Sequence, residues 1–522
     1  MAVERIAVDA LVGALSDGEE LALIDAREQG TYSEAHLLFA VNVPRSRAEL
    51  VAPRLIPRRS VRVAVIDAGV GEAESVAATL SRLGYTDVSV VEGGLAAWAD
   101  AGHEIYSGVN VPSKLFGELI ERHYGTPHVS ANELDRWLQE GRRLVVLDSR
   151  TEREFNRMSI PSGRSCPGGE LVHRVFDLID DDVTVVVNCA GRTRSIMGAQ
   201  SLRAAGVANE VVALENGTMG WELVGLQLDH GRTEVAPIPS TAGRAAAGEA
   251  AREVAARVGV PSVDRETADA WLDDGSRTTH LLDVRTPAEF LAGHLLGATS
   301  APGGQLVQAT DEYVATRGAR LVVVDDDGTR ATMAASWLIQ MGWDACVLSG
   351  VDSAPDLVGG EAPVEIALPD VPLTDLVADG LVVDLATSTE HRRGHIPGAA
   401  WAIRGRLADF AAELPAATAS SVVLTSPDGA LAALAHDEAC AAWPDAEVRV
   451  LADGTAAFVD AGGELESGLD FDRVPDDVWQ LPYDPGDAEV ARAAMEGYLI
   501  WEVALVEQYD RDPLAHFPLT PL

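Results

Sequence analysis

The sequence predicts an α/β chain: four tandem units, each a small, mostly parallel sheet flanked by helices, then a partly helical C-terminal tail. Three observations carry this expectation. Apolar strands alternate with helical patterns along most of the 522 residues, the habit of parallel α/β units. One order of signals recurs four times. The chain is also too long for one core, since ordinary domains would number about three or four at this length.

Each unit opens with an apolar strand ending in Asp: Leu21–Asp25, Leu144–Asp148, residues 281–283 and Leu381–Asp384. Arg follows two positions on in three units (Arg27, Arg150, Arg285), and Ala386 replaces it in the fourth. A helix start comes next. Thr151 with Glu154, Thr286 with Glu289 and Thr387 with Glu390 have the spacing of capping boxes, whose members satisfy each other's free backbone N–H groups. Turns bearing His36, His294 and His395 follow in three of the units; these histidines lack neighbouring ligands and are expected to hydrogen-bond within the turn. A second strand (61–66, 183–187, 321–324, 422–424) leads into a helix. A third (88–91, 211–214, 347–348, 448–451) runs into Gly93-Gly94, Gly217, Gly350 and Gly454, with Trp98 and Trp221 beyond it as expected core anchors.

The expected units are 1–106, 107–234, 235–363 and 364–467, with the tail at 468–522. Linkers with prolines and helical stretches occupy 107–128 and 235–263. The tail holds Pro475, Pro482, Pro485, several aromatics and a helical run near 489–508. It is expected to pack on the last units, with a homo-oligomer formed through it as the sharper reading.

Composition narrows the function. With 40 Lys and Arg against 81 Asp and Glu, the formal charge is −41. Phosphate backbones need a basic surface, so nucleic acid is excluded as a partner. The acidity is spread along the chain and reads as a solvated, self-repelling surface. No apolar run is long enough to span a membrane, and Met1-Ala2-Val3-Glu4-Arg5 opens without a signal-peptide core; a cytoplasmic location with no membrane partner is the expectation. Lys114 is the only lysine, so Schiff-base chemistry has one candidate. The four cysteines (Cys166, Cys189, Cys346, Cys440) show no CxxC and no metal-ligand spacing, so neither a disulfide scaffold nor a metal or other cofactor is expected. Cys346 and Cys440 read as small core residues. Cys166 in Ser165-Cys166-Pro167-Gly168-Gly169 matches Ala301 in Ser300-Ala301-Pro302-Gly303-Gly304; it reads as a packing residue, with a resolving thiol for Cys189 as the alternative.

Cys189 stands apart. The segment Val185-Val186-Val187-Asn188-Cys189-Ala190-Gly191-Arg192-Thr193-Arg194-Ser195 is a strand, a thiol, a short loop and a helix start. A thiol there meets backbone N–H groups, the positive end of a helix and two arginines, all of which favour thiolate. Aligned with it are Asp67 in the first unit, Asp325 or Asp326 in the third and Ser426 in the fourth. Those are helix-capping residues without a soft nucleophile. One unit is therefore expected to do chemistry while three shape, dock or regulate.

Cys189-Ala190-Gly191-Arg192-Thr193-Arg194-Ser195 with Asp148-Ser149-Arg150 upstream resembles the active domain of the rhodanese superfamily, and Leu281–Phe290 and Gly394-His395-Ile396-Pro397-Gly398-Ala399 resemble its two motifs ahead of that loop. The likeness covers residues 1 to about 467, so each unit is expected to be rhodanese-like, and the whole resembles tandem four-domain thiosulfate sulfurtransferases with one cysteine-bearing unit. The resemblance implies sulfur transfer by a ping-pong route. Cys189 would take sulfur from a small anionic donor such as thiosulfate and pass it to cyanide or a thiol acceptor. Backbone N–H groups of Ala190, Gly191, Arg192, Thr193, Arg194 and Ser195 would cradle the persulfide. Arg194 is the expected anion ligand and loop organiser. Arg192 is a donor-binding residue or a solvated surface arginine; Thr193 and Ser195 donate hydroxyl hydrogen bonds or cap the helix. Asp148 and Arg150 read as structural, because the pair recurs in units without the thiol. A cysteine phosphatase fits less well: its loop is C-x5-R, and the shorter C-x4-R here narrows the cradle to about one sulfur. A non-catalytic sulfur carrier or scaffold of rhodanese-like modules is the remaining alternative.

Overall fold

The computed structural model describes residues 3–351, 357–360, 367–374, 380–413, 420–468, 476–484 and 487–520. Four principal sheets repeat one strand order. In the second unit it runs His128–Val129, Val211–Leu214, Thr184–Asn188, Leu144–Asp148, Arg164–Ser165, all parallel. Thr184–Asn188 is central and covered on both faces, so Val185, Val186 and Val187 are all fully buried. That is why it reads as an unbroken β-branched run and not as an alternating one.

The expected α/β class holds, with two refinements. Strands of two or three residues (Glu4–Ile6, His128–Val129, Ser262–Val263, Leu373–Thr374) line one edge of each sheet, too short to carry a period. The third unit also lends Thr316–Arg317 to the first, antiparallel to Leu21–Ala22. All three capping boxes form. Where Ala386 replaces the recurrent arginine, His391 Nδ1 lies 2.7 Å from Asp384 Oδ2 and fills the role. His36, His294 and His395 each bond a nearby carbonyl through Nδ1, and the Trp98 and Trp221 indoles donate to Glu104 and Gln227 carbonyls from buried positions. Among the described residues no helix is long and apolar enough to cross a membrane.

One expectation holds in part and one fails. The tail helix Ala488–Arg511 packs on the linker helix Val111–Tyr124 and on Gly217–Leu223 of the second unit, while the stretch ahead of it reaches the fourth unit, where Arg406 pairs with Asp476 at 2.8 Å and Ser388 N–H donates to Asp477 at 2.7 Å. The helix's aromatic and apolar side chains find their counterparts on the second unit: Met495 and Leu499 join Ala190 and Met219 in one cluster. Farther on, Phe517 reaches the core between the linker helix and the third unit. Cys440 is exposed, near His436 on the surface of a short helix, and not a core residue. Pro475, Pro485 and the 363/364 boundary lie outside the described residues.

The second and third units meet backbone to backbone, Gly168-Gly169 against Gly303-Gly304, so close that a Cβ on Gly169 would stand 3.0 Å from the Gly304 nitrogen. Around that contact Arg330 bonds Glu170 at 2.9 Å as well as Glu289 and Asp326. His173 lies 3.2 Å from Asp327 and 3.6 Å from Glu170. Burial lowers the His173 pKa, but the Asp327 and Glu170 carboxylates outweigh it and raise it to about 9. A raised histidine stabilises most below its unfolded pKa of about 6.5, and that stabilisation is lost as pH climbs through about 9. His173→Gln should therefore lower unfolding free energy by about 1–2 kcal/mol near pH 6 and much less near pH 9.5, read by denaturant titration at both pH values; equal losses at the two would refute the ion-pair account.

Candidate active site

The loop after Thr184–Asn188 turns its carbonyls outward. Cys189 O accepts from Thr218 N at 2.8 Å and Thr218 Oγ1 at 2.7 Å, and Ala190 O accepts from Met219 N at 2.9 Å. This is the work of the glycine that ends the third strand: Gly217, at φ +56°, backs so tightly on the loop that a Cβ would lie 2.3 Å from Cys189 O. Only glycine tolerates both that conformation and that approach. With carbonyls held out, amide hydrogens face in. Among the described residues the N–H groups of Ala190, Gly191, Arg192, Thr193 and Arg194 make no other hydrogen bond.

In the other three units a side chain at the same place accepts from the loop's own N–H groups. Asp67 accepts from Gly69, Gly71 and Ala73 N–H at 2.7, 3.0 and 3.2 Å. Asp325, and not Asp326, takes the cysteine's place in the third unit, accepting from Gly328, Arg330 and Ala331 N–H at 2.7, 2.8 and 3.2 Å. Ser426 Oγ accepts from Ala432 N–H at 3.3 Å.

Cys189 is 1% exposed. Its Sγ lies 3.4 Å from Ser195 Oγ, which in turn donates to the Arg192 carbonyl at 2.8 Å. Burial pushes the thiol's pKa up; the Arg194 charge and the Ser195 contacts oppose this without overcoming it. The expected lowering of the thiol's pKa is therefore corrected to a raised one: the groups that favour thiolate are present, but burial outweighs them. Cys166 is fully buried in the apolar core among Leu147 and Leu171, where burial also pushes its thiol up, and Ala301 occupies the matching place in the third unit.

Neither loop arginine is free. Arg194 forms a two-pronged pair with Glu154, both bonds 2.8 Å. Burial alone would raise the Glu154 pKa, but Arg194 holds it down at about 2. Arg192 is not a solvated surface arginine: it bonds Glu118 at 2.7 and 2.9 Å and Glu121 at 3.0 Å, tying the loop to the linker helix. Thr193 Oγ1 donates to Glu502 Oε1 of the tail at 2.6 Å. Arg150 is fully buried on Asp148, which also accepts from Asn188 Nδ2 at 2.8 Å.

Cys189 and residues 190–194 line one cavity of about 170 Å³; Ser195 sits behind its wall. The rest of the lining was not anticipated. Lys114 comes from the linker helix, Glu154 from the capping box, and Trp479, Tyr483, Tyr498 and Glu502 from the tail. Glu502 is buried, its pKa raised by burial, and its Oε2 has no hydrogen-bond partner among the described residues. No local motif ties these residues to the loop; the lone lysine and the aromatic-rich tail were the only signals.

The sequence pattern of the rhodanese-like domain matches residues 8–101, 130–223 and 264–350, together more than half of the chain. The crystal structure of a thiosulfate sulfurtransferase from Pseudomonas aeruginosa is 44% identical, covers 99% of this chain and 100% of its own, and superposes with a TM-score of 0.95. A rhodanese-like domain from an Anabaena protein is 25% identical over 20% of this chain and 79% of its own, TM-score 0.19. A rhodanese-related protein from Thermoplasma volcanium is 23% identical over 20% and 97%, TM-score 0.18; these two are likenesses of single-unit length. No curated protein sequence matches the chain.

Arg150→Ala would strand the Asp148 carboxylate in the core. It should cost about 3–5 kcal/mol of unfolding free energy in a denaturant titration, the penalty for breaking a buried pair. A loss below about 1 kcal/mol would show that Asp148 does not depend on this partner.

Proposed function

The chain belongs to the rhodanese superfamily, and from that premise we propose that it is a sulfurtransferase moving sulfane sulfur from thiosulfate or a similar small anion, through a Cys189 persulfide, to cyanide or a thiol. One observation carries the reading. In an aspartate the Oδ atoms lie one bond beyond the atom that corresponds to cysteine Sγ. That is where the outer sulfur of a persulfide would lie. In the first and third units those oxygens are held by three backbone N–H groups each. The second unit keeps the cradle and replaces the carboxylate with a thiol whose surrounding N–H groups are unpartnered. Such a loop stabilises a monoanion one atom past Sγ.

The first half-reaction balances from the buried thiol. Cys189 sulfur attacks the outer sulfur of thiosulfate, the S–S bond breaks, and its electron pair leaves on sulfite. The thiol proton departs with it, giving persulfide anion and hydrogen sulfite. In the second half, cyanide or a thiolate attacks the outer sulfur, the S–S bond breaks, Cys189 regains the electron pair, and a proton from solvent restores the thiol. The cavity of about 170 Å³ favours small donors and acceptors. Arg194, pinned by Glu154, sets the loop and adds positive potential at the sulfur. The units 1–106, 235–363 and 364–467 act as docking and shaping partners to 107–234.

Incubation of the full chain with thiosulfate should add one sulfur atom to Cys189 by intact mass, and cyanide should remove it with turnover. Cys189→Ser should fold and do neither. Sulfur uptake without any turnover would leave a carrier and not an enzyme; uptake by Cys189→Ser would place the chemistry elsewhere.

A further inference from the structure

Lys114 is the one lysine in the sequence, and it lines the Cys189 cavity from a helix that lies outside the three segments matching the rhodanese-like pattern. We propose that Lys114 grips the oxyanion end of the sulfur donor, held in place for that purpose by aromatic rings of the C-terminal tail. The inference rests on the transfer chemistry proposed above and names the residue that recognises the donor.

The first support is an accounting of cations. Arg192 is neutralised by Glu118 and Glu121, Arg194 by Glu154 and Arg150 by Asp148. Lys114 has no ion pair among the described residues; its ammonium donates to the Val109 carbonyl. An ammonium has three donors, so two remain for a ligand. Of the cations around the cavity, it is the one whose charge no carboxylate cancels by contact.

The second support is the way that charge is kept. Nζ lies 5.1 Å from the Trp479 ring, 5.4 Å from Tyr498 and 5.2 Å from Trp501. Ring faces attract a cation without quenching it as a carboxylate would. The titratable groups that bear on it are Glu502 of the tail, Asp311 and Glu312 of the third unit and Arg194 of the loop. Burial raises the pKa of Glu502, and raises that of Asp311 to about 7, which weakens Asp311 as a counter-charge at neutral pH. Burial lowers Lys114 to about 8, with Glu502 and Asp311 opposing; it stays mostly protonated at neutral pH.

The third support is chemical fit. Thiosulfate offers a sulfane sulfur at one end and oxygens at the other. Sulfur transfer requires the first to reach Cys189, and the oxygens then need a cation elsewhere in the same cavity. As the S–S bond breaks, charge gathers on the departing sulfite, so an ammonium there binds the leaving state more tightly than the ground state. The cage also explains why a tail with no counterpart in the repeats is built against this unit.

The test uses the full chain. Lys114→Gln should raise KM for thiosulfate about tenfold or more, leave the cyanide-dependent second half-reaction within about threefold, and be largely rescued by Lys114→Arg. In Cys189→Ser, where only Lys114 and the N-terminus present amines, thiosulfate should slow acylation of Lys114 relative to the N-terminal amine. That footprint decides the matter even if Lys114→Gln fails to fold. Wild-type persulfide formation with an unchanged KM in Lys114→Gln, or equal acylation rates with and without thiosulfate, overturns the Lys114 assignment and leaves the transfer reading standing. Absence of any persulfide on wild-type Cys189 overturns the transfer reading itself.

Discussion

Backbone amides between a strand and a helix have to go somewhere, and in the loops of the first, second and fourth units they turn inward because the carbonyls are held from behind. The strand-ending glycine and the helix after it supply the outward hold: Thr218 and Met219 N–H in the second unit, Leu95 N–H on Asp67 in the first, Thr455 N–H on Ser426 in the fourth. Once the carbonyls are fixed, the inward amides need an acceptor. Asp67 and Asp325 supply one from their own side chains and close the site permanently. A cysteine cannot, because its side chain stops one atom short. On the reading proposed above, the same backbone is inert or receptive according to a single side chain.

The contacts between units give the silent ones definite tasks. The third unit buttresses the second through the glycine contact and the Arg330 network, and its Asp325 loop holds Arg330 on Glu289 as the second unit's loop holds Arg194 on Glu154. It also completes the first unit's sheet with Thr316–Arg317. The fourth joins the first through Arg404, which forks onto Glu49 at 2.9 and 3.1 Å. Covering an edge strand and pairing buried charges across interfaces both favour one relative placement of the units over others.

Much of this was legible because it is local. A Thr and a Glu three residues on make a helix cap wherever they fall, and all three such pairs form. A Val-rich run between turn signals must be a strand buried on both faces, as Val185–Val187 are. The Asp148–Arg150 pair was recognised as structural since it recurs without a thiol, and Arg150 is indeed sealed in the core. What could not be read depends on distance along the chain. Arg192 meets Glu118 across 74 residues, and Thr193 meets Glu502 across 309. The lowered thiol pKa expected from the loop alone gives way to a raised one, which follows from burial under a tail the loop does not encode. Cys440 was misplaced for the opposite reason: an Ala-rich helix gives no apolar stripe from which to tell the inward face.

The side chains that cover the sulfur come from far along the chain: Trp479, Tyr483, Tyr498 and Glu502 all follow the four repeated units. Chains emerge from the ribosome N-terminus first, at about 5–20 residues per second. Cys189 is therefore made well before the residues that cover it. A nascent chain carries an open thiol that becomes a shielded one only once these later residues have emerged and packed, so the shielding of Cys189 is a late event in the chain's assembly.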